Sequence, residues 1–91
     1  MKISFDPAKR AETLAARGLD MADVANVFDE PRLTVRDDRR DYGEDRFITF
    51  GTLAGRMVVV VWTVRDASRR IINLRKANER EQDAHGAALR S

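Results

Sequence analysis

The sequence predicts an α+β domain: a curved antiparallel sheet packed by helices from both ends of the chain, in the order β-α-α-β-β-β-β-α. Three observations predict it. The β-branched run "RMVVVVWTVR" (56–65) is apolar on both faces, which indicates a central strand that is covered on both sides. Short turn signals join it to its neighbours, so successive strands run antiparallel. Helical spacing of apolar residues occurs near both chain ends, as this fold class requires.

The first third of the chain predicts one short strand and two helices. "KISF" (2–5) alternates like a strand. Asp6-Pro7 starts a helix over residues 8–17, because Asp accepts hydrogen bonds from the free amides of a first turn and Pro fits the first helical position. Gly18 ends that helix as a C-cap. Asp20 opens a second amphipathic helix, and Pro31 marks its end.

The remaining elements alternate between strands and turns. Residues 37–45 have no periodicity and predict an exposed loop, and "TLAG" (52–55) predicts a turn. Trp62 is expected in the core, given the valines around it. The other predicted elements are strands at 32–37, 46–51 and 69–75 and a helix from Asn78 to about Leu89.

Length and composition restrict the class of protein. Ninety-one residues provide one hydrophobic core, so we expect a single domain over 1–91, ordered from about 2 to 85 with a frayed tail at 86–91. The absence of cysteine excludes a disulfide framework, a zinc knuckle and a thiol nucleophile. One histidine and scattered carboxylates show no metal-ligand spacing, and we expect no cofactor. The longest apolar run, 57–62, is too short to span a bilayer, and a cytoplasmic protein is expected.

Charge is segregated along the chain. Residues 65–80 contain six cations and two acids, a local charge of +4, whereas residues 37–45 contain five acids and two arginines. If residues 66–68 form a three-residue turn, Arg65 lies opposite Arg69 and Thr63 opposite Ile71. One face of the sheet would then carry a polar patch made of Arg46, Thr63, Arg65, Asn73 and Arg75.

The same residues also have ordinary structural interpretations. A charged residue at a strand end is usually only solvated. Glu81 with Asn78 fits a reciprocal helix cap, so its role is either structural or functional. Tyr42 in the loop is able to stack on a base, but one loop tyrosine is a weak indication.

Several short motifs in fixed order resemble the BrnT family, the toxin half of bacterial BrnT–BrnA toxin–antitoxin pairs. The resemblance covers residues 3 to 85. Its motifs are Phe5-Asp6-Pro7 with Lys9, Arg17-Gly18, "VFDEP" (27–31), Glu44 with Arg46 and Gly51, Thr63 with Arg65, and "RIINLRKA" (70–77) leading to Glu81. The chain departs from the family pattern at Thr13, often Asn; at Arg17, often His; and at His85, usually Tyr.

The resemblance implies a fold similar to the RelE-like ribonuclease toxins and an activity that cleaves RNA and arrests translation and growth. It also implies a BrnA-type antitoxin partner whose DNA-binding part lets the complex repress its own operon. We expect a hetero-oligomer of two toxins with an antitoxin dimer. The antitoxin either covers Arg65 and Arg75 directly or docks elsewhere on the sheet, and of the two we expect direct cover.

For this activity we expect metal-free cleavage at the ribose 2′-OH, with arginines stabilising the charge of the transition state. The expected catalytic residues are Arg65, Arg75, Glu81 and His85, of which either Glu81 or His85 transfers the proton. The expected RNA phosphate-binding residues are Arg46, Thr63, Asn73, Lys76 and Arg80. Two alternatives remain: a non-catalytic basic module that binds an acidic protein or nucleic acid, and a toxin that inhibits the ribosome by binding alone.

Overall fold

The computed structural model describes residues 1–89, and its elements follow the predicted order. They are β1 (Lys2–Ser4), α1 (Pro7–Arg17), a 3₁₀ turn (Met21–Asp23) that leads into α2 (Val24–Val27), β2 (Leu33–Arg36), β3 (Arg46–Leu53), β4 (Arg56–Arg65), β5 (Ser68–Lys76) and α3 (Glu79–Leu89). The strands form one open sheet in the order β1-β5-β4-β3-β2. The α+β class and the element order are therefore confirmed.

Two details extend the prediction. The three-residue strand β1 joins β5 in parallel, while the other neighbouring strands are antiparallel. Helix α3 extends to Leu89. Residues 90 and 91 lie outside the described part of the chain.

The ends of α1 form as the sequence indicates. The Asp6 carboxylate accepts a hydrogen bond from the Ala8 amide at 2.9 Å, and Pro7 is the first helical residue. At the other end Gly18 adopts a φ of +68°, which lets its amide donate to the Leu14 carbonyl. The helix buries none of its residues, and Leu14 is 45% exposed, so contacts other than apolar packing hold it to the sheet.

Polar side chains of α1 cover the edge of β5. Strand β1 pairs only with residues 68–70, which leaves the later carbonyls of β5 without a neighbouring strand. Lys9 Nζ donates to the Ile72 carbonyl at 2.7 Å, and Arg17 Nη1 donates to the Leu74 carbonyl at 2.8 Å. Two acceptors of this edge are thereby satisfied from within the chain.

The main core lies between the sheet and the α2 region. Val58, Val60 and Leu74 are fully buried there against Met21 and Val24. A second, smaller cluster lies on the other face, where α3 packs near Phe50, Val59 and Ala77. Strand β4 is therefore covered on both faces along its first half, as its sequence predicts.

Trp62 and Gly51 show how closely this core is packed. Trp62 is only 8% exposed, as predicted, and its indole N–H donates to the Thr49 hydroxyl at 2.8 Å. A Cβ atom on Gly51 would stand 2.4 Å from Val27 Cγ1, so only glycine fits beneath α2 at this position.

The predicted three-residue turn between β4 and β5 is wrong. The turn has two residues, Asp66 and Ala67, both with positive φ (51° and 58°), as in the tight hairpin turns that match strand twist. Arg65 therefore pairs with Ser68 rather than Arg69, and Thr63 with Arg70 rather than Ile71.

A register shift between Val61 and Trp62 then changes the pairing by one residue. Beyond it Val61 lies opposite Asn73 and Val59 opposite Arg75, which is the pairing that the sequence predicts. The inferred register is thus correct for the second half of β5 and shifted by one for the first half.

Candidate active site

One sheet face is only partly covered and carries most of the predicted site residues. We call it the open face. Cross-strand pairs place Arg46, Thr63 and Arg70 in one row, and Arg75 beside Val59 near α3. Arg65 ends β4 on the same side, because residues two apart on a strand share a face. The predicted common face of Arg46, Thr63, Arg65 and Arg75 therefore exists.

The arginines of the open face form two clusters rather than one patch. Arg75 lies beside Val59, whereas Arg65 stands six residues further along β4, a distance of about 20 Å at about 3.3 Å per residue. We call the two groups the Arg75 cluster (Arg75, Glu81 and His85) and the Arg65 cluster (Glu44, Arg46, Arg65 and Arg70).

The centre of the Arg75 cluster is a forked ion pair. Arg75 Nη1 and Nη2 donate to the two Glu81 carboxylate oxygens at 2.7 and 2.8 Å. The Arg75 hydrogen bonds lower the pKa of Glu81 to about 2 and raise that of Arg75. At neutral pH Glu81 is therefore a fixed carboxylate.

Glu81 also caps α3. Its Oε1 accepts from the Asn78 amide at 2.9 Å, and the Asn78 side chain accepts from the Glu81 amide at 2.8 Å. This is the reciprocal cap expected from the sequence. The structural and functional interpretations of Glu81 are thus compatible, because the cap fixes the same carboxylate that holds Arg75.

His85 lies one helical turn beyond Glu81. Its ring packs on Phe50 with 4.2 Å between the centroids, tilted by 37°. The side chain is partly exposed, and its electrostatic interaction with Glu81 is a minor cause of the lowered pKa of that carboxyl. The cluster thus combines an imidazole with an arginine–carboxylate pair.

The Arg65 cluster is organised around Glu44. Arg65 Nη2 and Nε lie 2.8 and 3.3 Å from the two carboxylate oxygens of Glu44, and Arg46 Nε is 3.9 Å from the nearer one. Arg65 lowers the pKa of Glu44 through these hydrogen bonds, with a smaller contribution from the charge of Arg46. Glu44 thus occupies the position in which a phosphate would bind the same guanidinium.

Arg46 has an N–H group that forms no hydrogen bond within residues 1–89. Its guanidinium carbon lies 3.9 Å from the centre of the Tyr42 ring, which fixes its plane. Its Nε is buried and has no hydrogen-bond partner among residues 1–89. A buried donor without an acceptor is costly, so an anion that reaches it would be stabilised.

Arg46, Arg65 and Arg70 line a depression of about 270 Å³ together with Lys9 of α1. Asp6 is the only acid among its lining residues. Arg70 and Lys9 are absent from the sequence-predicted site. A two-residue turn predicted from the sequence would have placed Arg70 beside Thr63. The position of Lys9 depends on how α1 packs on the sheet, and no local sequence pattern predicts that packing.

The polar neighbours of the two clusters are engaged with the protein itself. The Thr63 hydroxyl donates to the Asp45 carbonyl, and Thr63 is 1% exposed. The Asn73 side-chain oxygen accepts from Arg17 at 3.1 Å, at the sheet edge. Lys76 and Arg80 are exposed, and Lys76 pairs with Val58, whose side chain belongs to the other face. Thr63 therefore lies buried between Arg46 and Arg70 of the Arg65 cluster, whereas Asn73, Lys76 and Arg80 are separate from both clusters.

The acidic loop at 37–45 is more ordered than expected. Asp37 is buried, and Arg39 donates to both of its carboxylate oxygens at 2.8 Å. The Tyr42 hydroxyl donates to the same carboxylate at 3.2 Å. These contacts hold the pKa of Asp37 far below its usual range.

Two wider searches of residues 1–89 concern other kinds of site. No three His, Cys, Asp or Glu side chains in this range are grouped as they would be around a metal ion. No helix in the same range has the length and apolar character needed to cross a membrane.

The structure is an open α+β sheet whose partly covered face carries two clusters of arginines, each paired with a carboxylate. The model of the ribonuclease toxin BrnT, of type II toxin–antitoxin systems, matches residues 5–81, and the chain belongs to this family. The family resemblance read from the sequence is confirmed. A search of curated proteins gave no match to the chain. Family membership makes the chain a ribonuclease toxin whose partner is an antitoxin.

Proposed function

We propose that this chain is a metal-independent RNA endonuclease that arrests translation and growth, with its reaction centre at the Arg75 cluster. The observation that carries the proposal is the forked Arg75–Glu81 pair beside His85 on the open face. This is the only one of the two clusters that combines an anchored cation with an imidazole.

The reaction needs charge stabilisation and two proton transfers. The ribose 2′-oxygen loses its proton and attacks the adjacent phosphorus, and the 5′-oxygen leaves with a proton, which yields a 2′,3′-cyclic phosphate and a 5′-hydroxyl end. Arg75 binds the phosphate and stabilises its added negative charge. His85 exchanges protons with the reacting oxygens, a contribution of about 10²–10⁴-fold. Glu81 is ionised, and both of its oxygens accept hydrogen bonds, so we assign it the positioning of Arg75.

The Arg65 cluster would bind a second phosphate of the same RNA strand. Its separation from Arg75, about 20 Å along β4, spans several nucleotides of a single strand. A phosphate that binds Arg65 has to replace Glu44, and it gains Arg46 Nε and Arg70 as further contacts. Arg65 therefore contributes mainly to binding, while Arg75 contributes to the chemical step.

Incubation of the purified chain with total RNA in the presence of EDTA tests the activity and its metal independence together. We expect the parent to cleave, Arg75→Gln and His85→Gln to lose at least about a hundredfold in rate, and Arg65→Gln to lose mainly affinity. Arg56→Gln is the matched control, because Arg56 is the exposed first residue of β4 and belongs to neither cluster.

Three results would contradict the proposal. Cleavage only after Mg²⁺ is added would exclude metal independence, and unchanged rates for both Arg75→Gln and His85→Gln would move the reaction centre elsewhere. Intact RNA with tight, salt-sensitive binding would favour a basic binding module. In bacteria, Arg65→Ala and Arg75→Ala chains at equal abundance should arrest growth less than the parent.

We further propose that the antitoxin is of the BrnA type and that two toxins assemble with an antitoxin dimer that represses its own operon. The family description, which assigns the toxin to a type II toxin–antitoxin system, supports the partnership. Measuring the mass of the co-expressed complex in solution, together with its binding to the promoter DNA, tests the stoichiometry and the repression.

A further inference from the structure

Arg69 lies on the sheet face opposite the open face. It pairs with Val64 and Ile3 across the sheet. Its guanidinium carbon stands 3.9 Å from the centre of the Phe28 ring and 5.2 Å from that of Trp62. Its Nε is buried without a hydrogen-bond partner, and within residues 1–89 no carboxylate lies within ion-pair distance. A buried guanidinium nitrogen without an acceptor is uncommon, because only the aromatic contacts offset its desolvation.

A second arginine shares the same ring. The guanidinium carbon of Arg32 lies 5.4 Å from the Phe28 centroid, and Arg32 Nη1 donates to the Phe28 carbonyl at 2.8 Å. Burial and the charge of Arg32 both lower the pKa of Arg69. Two like charges therefore stand beside one aromatic ring, and no carboxylate of residues 1–89 forms an ion pair with either of them.

Exposed apolar surface adjoins the two guanidinium groups. Val64 is 47% exposed, and Phe28 and Phe47 are partly exposed beside Trp62. Aromatic residues and arginines around an apolar centre are the composition of a protein–protein contact. We call this surface the Arg69 surface and define it by Phe28, Arg32, Phe47, Val64 and Arg69.

We propose that the Arg69 surface is the docking site of the antitoxin, which places an Asp or Glu side chain between Arg32 and Arg69 and an apolar side chain on Val64. A carboxylate there would accept the forked hydrogen bonds that Arg69 cannot make within residues 1–89. The arginines of the open face are different, because Arg65 and Arg75 already bind the chain's own Glu44 and Glu81.

An RNA base fits this surface less well than a peptide. Base stacking needs an open aromatic face, and Arg69 already covers one face of Phe28 at 3.9 Å. The inference rests on the proposed antitoxin partnership and identifies where that partner binds. It differs from the direct cover of Arg65 and Arg75 expected from the sequence.

Calorimetric titration of the full-length toxin with its cognate antitoxin tests the site. We expect Arg32→Gln and Arg69→Met each to weaken binding by about tenfold or more, and the double variant by about a hundredfold. Arg69→Met keeps an apolar chain over Phe28 and so preserves the packing, and thermal unfolding checks that each variant is folded. Arg56→Gln, which removes the same charge elsewhere, should change the affinity less than about twofold.

RNA cleavage is measured on the same samples. Unchanged cleavage with weakened antitoxin binding supports the proposal. An Arg69→Glu chain whose antitoxin binding is restored by an Asp or Glu→Lys change in the antitoxin would identify the paired residue.

The proposal is overturned if folded Arg32→Gln and Arg69→Met chains bind the antitoxin like the parent, or if Arg65→Gln and Arg75→Gln are the variants that lose antitoxin binding. Weakened RNA binding with intact antitoxin affinity would make this an RNA surface. A parent without ribonuclease activity would refute the proposed function but leave the binding results interpretable.

Discussion

Replacing Glu81 by Gln separates the two structural roles of this residue. The Gln side chain keeps an oxygen for the Asn78 amide, so the helix cap is preserved, while the charge that holds Arg75 is removed. The pKa of Glu81 falls from 4.5 to about 2, which corresponds to roughly 3 kcal/mol at about 1.4 kcal/mol per unit. Arg75 is 37% exposed and Glu81 18%, and solvent screening reduces this to about 1.5 kcal/mol.

Urea denaturation measures the loss. At pH 7 we expect Glu81→Gln to lower the free energy of unfolding by about 1.5 kcal/mol, and Glu81→Ala by about 1 kcal/mol more because the cap is lost as well. A depressed pKa stabilises the fold above the unfolded value of 4.5, and this stability is lost as pH falls through about 2. The difference between the parent and Glu81→Gln should therefore shrink to under half at pH 3. A difference that is equally large at pH 3 and pH 7 would refute the ion-pair explanation.

Three further predictions concern the framework of the site. Gly51→Ala should lower the free energy of unfolding by about 1–3 kcal/mol, because its Cβ meets Val27 Cγ1 at 2.4 Å, and adding Val27→Ala should recover part of that loss in the same thermal melts. Ala67→Gly should stabilise the fold by about 0.5–1 kcal/mol, because Ala67 has a φ of +58°; a lower melting temperature would contradict this. Asp37→Ala should expose the loop at Arg39 to trypsin faster than in the parent, since the buried Asp37 carboxylate anchors that side chain; equal digestion rates would show that other contacts hold the loop.

Local chemistry made most of the fold predictable. The start of α1 at Asp6-Pro7 and its end at Gly18 depend on neighbouring residues only. The valine run of β4 fits only a central strand that is covered on both faces. The register of the β4–β5 hairpin was harder to predict. Its two-residue turn needs positive φ at both Asp66 and Ala67, and the sequence has no glycine there to indicate such a turn. The register shift opposite Val61 and Trp62 then restores the expected pairing for the rest of β5, and no local sequence pattern indicates this shift.

The site was predictable in its residue types more than in its arrangement. Sequence parity placed Arg65 and Arg75 on one face, but their separation of about 20 Å follows from where along the strands each one lies. The partner Glu44 comes from a loop without periodicity, and Lys9 comes from a distant helix. Their positions depend on tertiary packing, so contacts such as Glu44 with Arg65 become visible only in the folded chain.

In the proposed RNA complex, the pairing of Arg65 with Glu44 would influence which RNA binds. A phosphate at Arg65 has to displace Glu44 before it reaches Arg46 Nε and Arg70, whereas Glu81 stays on Arg75 and holds that side chain in position. A strand that also reaches Arg75 gains a second contact that offsets the displacement of Glu44, so we expect long, flexible single strands to bind more tightly than mononucleotides. Glu44→Gln should reduce this difference, so that short oligonucleotides bind almost as well as long ones.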